Sequence, residues 1–464
     1  MLCESRPLVI FSLAVALIFV WTLRHLGVHE AISDAVSTIF DEAPSQQDAE
    51  NLFIQQAMSV EYPAPIDYEP MRQICSRTSF RPGLLFSCEG QHGGIGMVRN
   101  QMLKCVRYAI SGGGAIVIPS MALRNAKDIT DIETTTEAPF DYLLDHETFV
   151  THLTNGCPGM RVYERAEDFP FYHRRIGEPL SLLGDQFEPQ HPKEGLRFPR
   201  KWRQFFDEWL DQMSVRDRMK ADAPVHIKME QTFLEYPVRD DGKAFVHEFG
   251  KILSFRNETR ALAAKILYRM KERFALPIDP TVAINPNAYY GAHLRLEKDA
   301  TSAWEPEDSG RFSRMDDQFE EQFKGVERSG LGVVYVASGN QTVVDIFAER
   351  LQKRLAAAPG PGRRNVTVVT KHDLLQGPDR KQLDGLTFDQ LGLVDFLIMF
   401  KASMFMGVAH SSFPWTIALR RHELSKYSEY GNEGSDLLRD EYSTIMGMEA
   451  DYPNIDPFVY GIWP

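Results

Sequence analysis

The chain of 464 residues carries 51 lysines and arginines against 64 aspartates and glutamates, so its formal net charge at pH 7 is −13. Hydrophobic residues make up 43% of the sequence and charged residues 25%, which is typical of folded proteins and argues against a disordered chain. The acidic balance argues against a nucleic-acid partner, because phosphate contacts along a polymer need a basic surface. A single phosphorylated ligand held by a few local groups is compatible with this charge.

The first predicted element is the uncharged run 7–23, which Arg6 precedes and Arg24 follows. Seventeen helical residues span about 26 Å, close to the ~27 Å hydrocarbon core of an early secretory membrane. The run ends in bulky residues, Phe-Val-Trp at 19–21, which fit a signal-peptidase site poorly. We therefore expect an uncleaved signal anchor, with residues 1–6 as a cytosolic tail and the rest of the chain lumenal.

A stem is predicted after the anchor, because residues 24–70 are acidic and rich in Gln, Ser and Ala without a strand pattern. Three Asn-x-Thr triplets give mild support to a lumenal address, at Asn257, Asn340 and Asn365. Four cysteines would lie on the same side of the membrane, namely Cys75, Cys88, Cys105 and Cys157. They allow two disulfides with three possible pairings, and buried free thiols are an equal alternative.

The first half of the globular part begins with a strand–helix–strand pattern. Residues 83–88 (GLLFSC) and 115–119 (AIVIP) read as short buried strands. Between them, a glycine turn precedes a helix whose apolar residues recur at three- and four-residue steps, namely Met102, Leu103, Val106 and Ile110. Such a βαβ unit predicts a parallel sheet with helices on its faces.

The second half repeats this alternation more clearly. Strands are predicted at 287–296, 332–338, 366–370 and 404–409. Helices are predicted at about 342–358, at about 390–402 and from about Ser412. The interval 185–285 reads as irregular and charged. The pattern therefore predicts an α/β protein with two Rossmann-like domains that face a cleft, at 71–285 and 286–464.

The first motif that could carry chemistry is Gly93-Gly94-Ile95-Gly96-Met97-Val98-Arg99, at a strand-to-helix turn. Glycines at such a turn let backbone N–H groups approach a ligand, and a helix N-terminus attracts anions. The sequence is not a complete G-x-G-x-x-G motif, since Val98 occupies the last glycine position. An ordinary tight turn is the alternative.

The second motif is His293-Leu294-Arg295, at the end of a predicted strand. Strand alternation places His293 and Arg295 on one face. Ligands of open α/β sheets bind beyond the carboxyl ends of the strands, where an arginine can hold a diphosphate bidentately. The alternative is a salt-bridged strand end, because the acidic and basic segment Glu297-Lys298-Asp299 follows.

The third motif, Ser411-Ser412-Phe413-Pro414, directly follows strand 404–409. Serine before a proline near the first helical position predicts a helix start. The exposed N–H groups and two hydroxyls suit a phosphate at the carboxyl edge of the sheet. A capped helix without a ligand is the alternative.

Together these motifs resemble those of the protein O-fucosyltransferase-like superfamily of inverting GT-B glycosyltransferases. Its members share a glycine-rich loop that ends in Arg, a His-x-Arg strand and a Ser-Ser-Phe-type motif. HLRLEKD (293–299) is particularly similar to the large plant branch, and residues 140–149 and 394–413 also match family blocks. The resemblance covers roughly residues 76–425 and implies a GT-B fold, with an acceptor-side N-terminal domain and a nucleotide-binding C-terminal domain.

The resemblance implies transfer of fucose from GDP-fucose to a hydroxyl of a protein or glycan. The resemblance also implies that Arg295 neutralises the β-phosphate of GDP and that His293 contacts the ribose or base. Ser411, Ser412 and Phe413 bind the diphosphate through their side chains and the helix N-terminus.

In the same resemblance, Gly93, Gly94 and Arg99 line the cleft beside the sugar and the acceptor. Inversion needs a base opposite GDP. Some relatives place a carboxylate just before the glycine loop, where the nearest candidates here are Glu89 and His92, and neither lies squarely at that position. A substrate-assisted route is the alternative.

No Asp-x-Asp motif and no His/Cys cluster with zinc spacing occurs in the sequence, so we expect no metal cofactor. The expected partners are the nucleotide sugar, the acceptor and, through the anchor, a membrane of the Golgi or endoplasmic reticulum. Two other functions fit the same residues. One is a transferase that uses another nucleotide sugar, such as a rhamnosyl donor. The other is a membrane-anchored sugar- or nucleotide-binding protein without catalysis.

Overall fold

The computed structural model of the chain describes residues 45–59, 65–125, 128–129, 131, 136–188, 195–230, 235–298, 311–357, 365–409, 411–428, 438–447 and 461–464. The predicted tail, the anchor at 7–23 and much of the stem lie outside these ranges. Among the described residues, no helix is long and apolar enough to cross a bilayer.

The first half is built on a parallel five-stranded sheet in the order β5-β2-β1-β7-β6. Its strands are β1 (Leu84–Cys88), β2 (Ala115–Val117), β5 (Val162–Tyr163), β6 (Leu180–Leu182) and β7 (Val225–Met229). After β2, the strands β3 (Met121–Ala122) and β4 (Glu137–Ala138) form a small antiparallel ribbon. The carboxyl ends of β1 and β7 therefore lie side by side.

Seven helices are described up to residue 274. They are α1 (Gln46–Ser59), α2 (Glu69–Ser76), α3 (Ile95–Gly112), α4 (His146–Gly156), α5 (Trp202–Gln212), α6 (Lys243–Phe249) and α7 (Asn257–Phe274). The predicted βαβ unit is confirmed as β1-α3-β2, and the four apolar residues predicted to face the core from α3 are fully buried. This helix ends at Gly113, whose φ of +70° favours a residue without a side chain.

The expectation of an irregular interval at 185–285 was wrong, because this interval supplies a strand and three helices. Strand β7 pairs with both β1 and β6. Its sequence, VHIKM, alternates apolar and polar residues as strands do, although residues 225–227 are all buried. Helix α5 has a regular apolar stripe that buries Trp202, Phe206, Trp209 and Leu210. Charged residues occupy positions between them, so the stripe is not evident from the order of residues along the sequence.

The second half is built on another parallel sheet in the order β10-β9-β8-β11-β12. Its strands are β8 (Tyr290–His293), β9 (Val333–Ala337), β10 (Thr367–Val369), β11 (Met404–Val408) and β12 (Ser443–Met446). The four strands predicted here are confirmed, and β12 is an addition. The strand order reverses between β8 and β11, and such a point leaves a crevice beyond the carboxyl ends of the strands.

Six helices are described in the second half. They are α8 (Met315–Ser329), α9 (Gln341–Ala357), α10 (Lys371–Leu374), α11 (Gly377–Asp384), α12 (Phe388–Phe400) and α13 (Ser412–His422). Phe319, Phe323 and Phe347 from α8 and α9 pack over Val334 and Val336 of β9. The α/β class with two parallel, Rossmann-like sheets is thus confirmed.

Two disulfides select one of the three possible pairings, Cys75–Cys157 and Cys88–Cys105. Their Cα atoms lie 5.4 and 6.2 Å apart, within the range that disulfides span. The second bridge joins the end of β1 to the middle of α3, so it encloses the glycine turn between them.

Polar contacts join the two halves at two places. One is the first turn of α12, and the other is the residue that follows α13. The Tyr142 hydroxyl lies 2.5 Å from Thr387 Oγ1, and Gln390 donates to the Tyr142 carbonyl over 3.0 Å. His247 of α6 lies 2.8 Å from the carboxylate of Glu423, directly after α13. The hydrogen bond to Glu423 raises the pKa of His247 above its ordinary value, although partial burial opposes this.

We expect the His247–Glu423 contact to stabilise the fold at mildly acidic pH only. Because the pKa of His247 is raised in the folded state, its contribution is complete below the unfolded pKa of about 6.5. It is lost as the pH rises through the folded value. Glu423→Gln should therefore lower the Tm at pH 5.5 and have little effect at pH 8.5, as measured by thermal unfolding. An equal decrease at both pH values would contradict a charge-dependent contact.

Candidate active site

A cavity of about 200 Å³ lies at the reversal point of the second sheet. The second half contributes the residues that follow β8, β9, β10 and β11, together with the start of α12. The first half contributes Gly94, Ile95 and Arg124. The cavity therefore lies between the halves, at the edge where the strand order predicts a ligand.

The N-termini of α3, α12 and α13 converge on this cavity, where Gln341 of α9 and Lys371 of α10 also lie. Its lining includes the first residues of α3 (Gly94 and Ile95), α12 (Phe388 and Asp389) and α13 (Ser411 and Phe413). The Thr387 and Ser411 side chains cap α12 and α13 by accepting from backbone N–H groups, whereas Gly94 at the start of α3 has no side chain to do so. Since each N-terminus carries a partial positive charge, the three together favour an anion such as a diphosphate.

Glycines permit this convergence. A Cβ on Gly96 would lie 2.6 Å from the Ser412 carbonyl oxygen, and one on Gly392 would lie 2.8 Å from Ile95 Cδ1. A larger residue at position 96 would separate α3 from α13, whereas one at position 392 would mainly displace the end of the Ile95 side chain. Gly93 has a φ of +108°, which few residues with a side chain adopt. The glycine motif thus brings its helix directly against the Ser-Ser-Phe helix.

Arg295 lines the cavity just beyond the end of β8 and is oriented by Glu297. Its Nη1 donates to Glu297 Oε2 over 2.8 Å. The other carboxylate oxygen accepts from Ser338 Oγ over 3.1 Å and from the Gly339 N–H over 2.6 Å. Burial raises the pKa of Glu297, but Arg295 and these hydrogen bonds outweigh it and hold the pKa below its usual value. The guanidinium is therefore fixed before any ligand binds.

His293 lines the cavity as a neutral imidazole. Its ring stacks on Phe413 with centroids 4.9 Å apart and planes 20° from parallel. Burial lowers its pKa to about 3, and the partial compensation by Glu297 is smaller. Its buried Nδ1 has no hydrogen-bond partner among the described residues. The ring therefore offers an unused hydrogen-bonding nitrogen to a ligand, and it does not carry a proton at physiological pH.

Residues 84–424 match the family model described as GDP-fucose protein O-fucosyltransferase. The match covers well over half of the chain. The chain belongs to this family. It is therefore a glycosyltransferase of the fucosyltransferase class, as the three motifs suggested.

Solved structures with a similar fold include POFUT1 in complex with GDP, at 15% identity and a TM-score of 0.43, with 80% of this chain and 100% of that chain covered. NodZ α-1,6-fucosyltransferase co-crystallized with GDP gives 13% identity and a TM-score of 0.34, covering 72% and 91%. A mutant of Arabidopsis thaliana FUT1 in complex with GDP gives 12% and 0.35, covering 75% and 71%. No curated protein sequence matches. The family assignment therefore rests on the sequence match.

The far end of the cavity of this fucosyltransferase holds a buried ion pair that the sequence analysis missed. Asp395 accepts from Lys371 Nζ over 2.7 Å and from the Tyr335 hydroxyl over 2.8 Å. His372 beside it also lines the cavity. The available signal was the carboxylate in an apolar helix, FDQLGLVDFLIMF, since a buried acid needs a partner or a ligand.

Arg99 does not line the cavity, contrary to the role expected from the resemblance. Its side chain is buried on the far face of α3. It donates to the Trp463 carbonyl and the Gly250 carbonyl over 2.8 Å each, and to a Pro464 oxygen over 2.7 Å. Asn100 adds a bond to the Gly461 carbonyl. Arg99 thus fastens residues 461–464 to the first half.

The two candidate bases are also outside the cavity lining. Glu89 follows β1, is 40% exposed and forms an ion pair with Lys228. The backbone N–H of His92 donates to Gln101 Oε1, and its carbonyl accepts from Gln101 Nε2, over 3.1 Å each. Both residues border the glycine turn on the first-half side.

Of the binding residues expected from the sequence, the cavity brings together Gly94, His293, Arg295, Ser411 and Phe413. Gly93 and Ser412 adjoin lining residues in the chain without lining the cavity themselves. Within the part of the chain that the structure describes, no group of His, Cys, Asp or Glu is arranged to hold a metal ion.

We expect Arg99→Ala to reduce stability and to leave the affinity of the folded protein for GDP unchanged. The substitution leaves three carbonyl-type acceptors unsatisfied in the core, so the free energy of unfolding should fall by roughly 3 kcal/mol. Denaturant unfolding and GDP titration measure the two effects, with the exposed Arg165→Ala as a control. Unchanged stability combined with lost GDP binding would instead make Arg99 a ligand residue.

Proposed function

We propose that this chain transfers fucose from GDP-fucose to a hydroxyl of a protein or glycan with inversion at the anomeric carbon. The observation that carries the proposal is the meeting of Arg295 with three helix N-termini in one cavity. Family membership supports fucose as the sugar and GDP as the nucleotide, and the geometry of the cavity supports a binding site for the diphosphate. Other nucleotide sugars and a purely binding role become outcomes of the tests below.

In the proposed complex, the diphosphate lies against Arg295 and the first peptide N–H groups of α13. The nucleoside extends past the His293–Phe413 stack toward Lys371 and Asp395. This direction is supported by the order of the lining residues, which follows the carboxyl ends of β11, β8, β9 and β10 across the sheet. The sugar is then on the side of Gly94 and Ile95, beside the first half.

Arg295 acts on the departing nucleotide. As the bond to the sugar breaks, negative charge grows on the β-phosphate while the sugar gains oxocarbenium character. A guanidinium already fixed by Glu297, together with helix N-termini, stabilises this charge without reorganising. Removing one such donor typically lowers the rate by about 10²- to 10³-fold.

Glu89 is the proposed base for the acceptor hydroxyl, with His92 as the other candidate. Glu89 lies at the end of β1, where the chain turns toward the cavity through the glycine motif. Its side chain is paired with Lys228 but is 40% exposed, so an acceptor can reach it. A carboxylate on this side would take the proton from the face opposite GDP, as inversion requires.

We further propose a single-pass type II membrane protein of the Golgi or endoplasmic reticulum, with residues 7–23 as the anchor. Two disulfides support an oxidising compartment. The asparagines of all three glycosylation triplets are exposed, which suits a lumenal surface. Protection of the intact protein from protease in sealed microsomes tests this orientation, and digestion without detergent contradicts it.

Arg295→Ala should abolish measurable transfer from GDP-fucose with the fold intact. The expected decrease in kcat is at least about 100-fold, because the β-phosphate loses its fixed cation. GDP release by the full-length enzyme in detergent measures the rate, with Arg165→Ala as a matched exposed control. Near-normal turnover of GDP-fucose by the Arg295 variant would contradict the assignment.

The same assay, run over several nucleotide sugars, separates the alternatives. Turnover of a rhamnosyl donor in preference to GDP-fucose would select the other transferase. GDP binding without turnover of any donor would select the binding protein.

Glu89→Gln should lower kcat by about 10²- to 10⁴-fold and leave the affinity for GDP within about twofold. A general base contributes on this scale to the chemical step, and this residue lies away from the nucleotide. Transfer assays and GDP titration measure the two quantities. Full activity of the Gln variant would exclude Glu89 as the base and direct attention to His92.

A further inference from the structure

Arg124 is a second arginine in the cavity lining, and it comes from the opposite half to Arg295. It follows the ribbon strand β3, and its side chain is only 7% exposed. It belongs to none of the three sequence motifs. A buried guanidinium requires partners or a ligand.

The guanidinium is held on several sides. Its Nη1 donates to the Ile129 carbonyl over 2.7 Å, and its central carbon lies 5.3 Å from the centre of the Phe388 ring. Its Nε lies 3.4 Å from Asp389 Oδ1. Phe388 and Asp389 begin α12, so Arg124 spans from the first half to a helix N-terminus of the second. A planar guanidinium stacked in this way is oriented before a ligand arrives.

Among the described residues, three Lys or Arg side chains line the cavity, and each contacts a carboxylate that also lines it. The distance is 2.7 Å in Lys371–Asp395, 2.8 Å in Arg295–Glu297 and 3.4 Å in Arg124–Asp389. Charge-assisted hydrogen bonds between nitrogen and carboxylate are usually about 2.7–2.9 Å long. The Arg124–Asp389 pair is thus the loosest of the three and the easiest to exchange for another anion.

We propose that Arg124 is a donor-binding residue whose guanidinium exchanges the Asp389 carboxylate for an oxygen of the nucleoside diphosphate. This inference rests on the proposed function, since it assigns a second cation to the same donor. The exchange moves no covalent bond; it replaces one anionic partner by another. A diphosphate held by Arg295 from one side and Arg124 from the other would link the two halves directly.

The test compares Arg124→Ala with Asp389→Asn in the full-length protein, by titration with guanosine, GDP and GDP-fucose. If Arg124 binds phosphate, Arg124→Ala weakens GDP binding by about 10- to 100-fold and leaves guanosine binding unchanged. Asp389→Asn removes the competing carboxylate, so it binds GDP at least as tightly as the wild type. Arg124→Lys keeps the positive charge but loses the planar guanidinium with its several N–H donors. Its affinity for GDP should therefore lie between those of Arg124→Ala and the wild type.

Arg175→Ala is the matched control. Arg175 also stacks on an aromatic ring, that of Tyr172 at 4.9 Å, and pairs with a carboxylate, that of Glu178 at 3.1 Å, but it lies outside the cavity lining. Its substitution should leave all three affinities unchanged. Unchanged guanosine binding in the Arg124 variants shows in the same experiment that the cavity is intact.

Several results would overturn the inference. Equal weakening of GDP binding by Arg124→Ala and Asp389→Asn would show that the pair only bridges the halves. Normal GDP binding by Arg124→Ala would show that Arg124 does not contact the diphosphate. If only the affinity for GDP-fucose decreased, Arg124 would contact the sugar instead. If the wild type binds GDP and Arg295→Ala does not, the Arg124 inference can fail while the proposed function remains supported. Absence of GDP binding by the wild type would overturn both.

Discussion

The close approach of α3 to α13 is the constraint on which the site depends. Gly96 touches the Ser412 backbone, and no side chain fits between the two helices. This contact sets two N-termini from different halves side by side, and the N-terminus of α12 lines the same cavity. Backbone dipoles require no side-chain charge, so their field is unaffected by pH in the range in which the protein folds. The remaining polar groups of the cavity are arranged around this field.

Those polar groups are arranged as compensated pairs, which explains how a chain with a net charge of −13 can offer a site to a phosphate. Each lysine or arginine of the described lining contacts a carboxylate of the same lining. This pairing avoids a cluster of repelling cations. An incoming diphosphate competes for guanidinium groups whose geometry is already set. The overall charge describes the outer surface and says little about this interior.

Local patterns predicted the parts of the fold that depend on neighbours in the sequence. The strand–helix alternation, the glycine turn and the cap at Ser411 all have short-range signals, and the structure contains each of them. Contacts between distant residues have no such signal. Arg99 ends the glycine motif, yet its partner Trp463 lies 364 residues away, so its structural role could not be read from the motif. Strand β7 has the alternating sequence VHIKM, but its pairing with β1 and β6 joins distant residues and has no local signal.

Burial of residues 461–464 in the first half has a consequence for how the protein is made. Trp463 is fully buried and packs against Tyr236 and Phe249, while Arg99 and Asn100 bind the backbone around it. The first half therefore cannot complete its core when its own residues leave the ribosome. It has to wait for the whole second half to be synthesised, at about 5–20 residues per second.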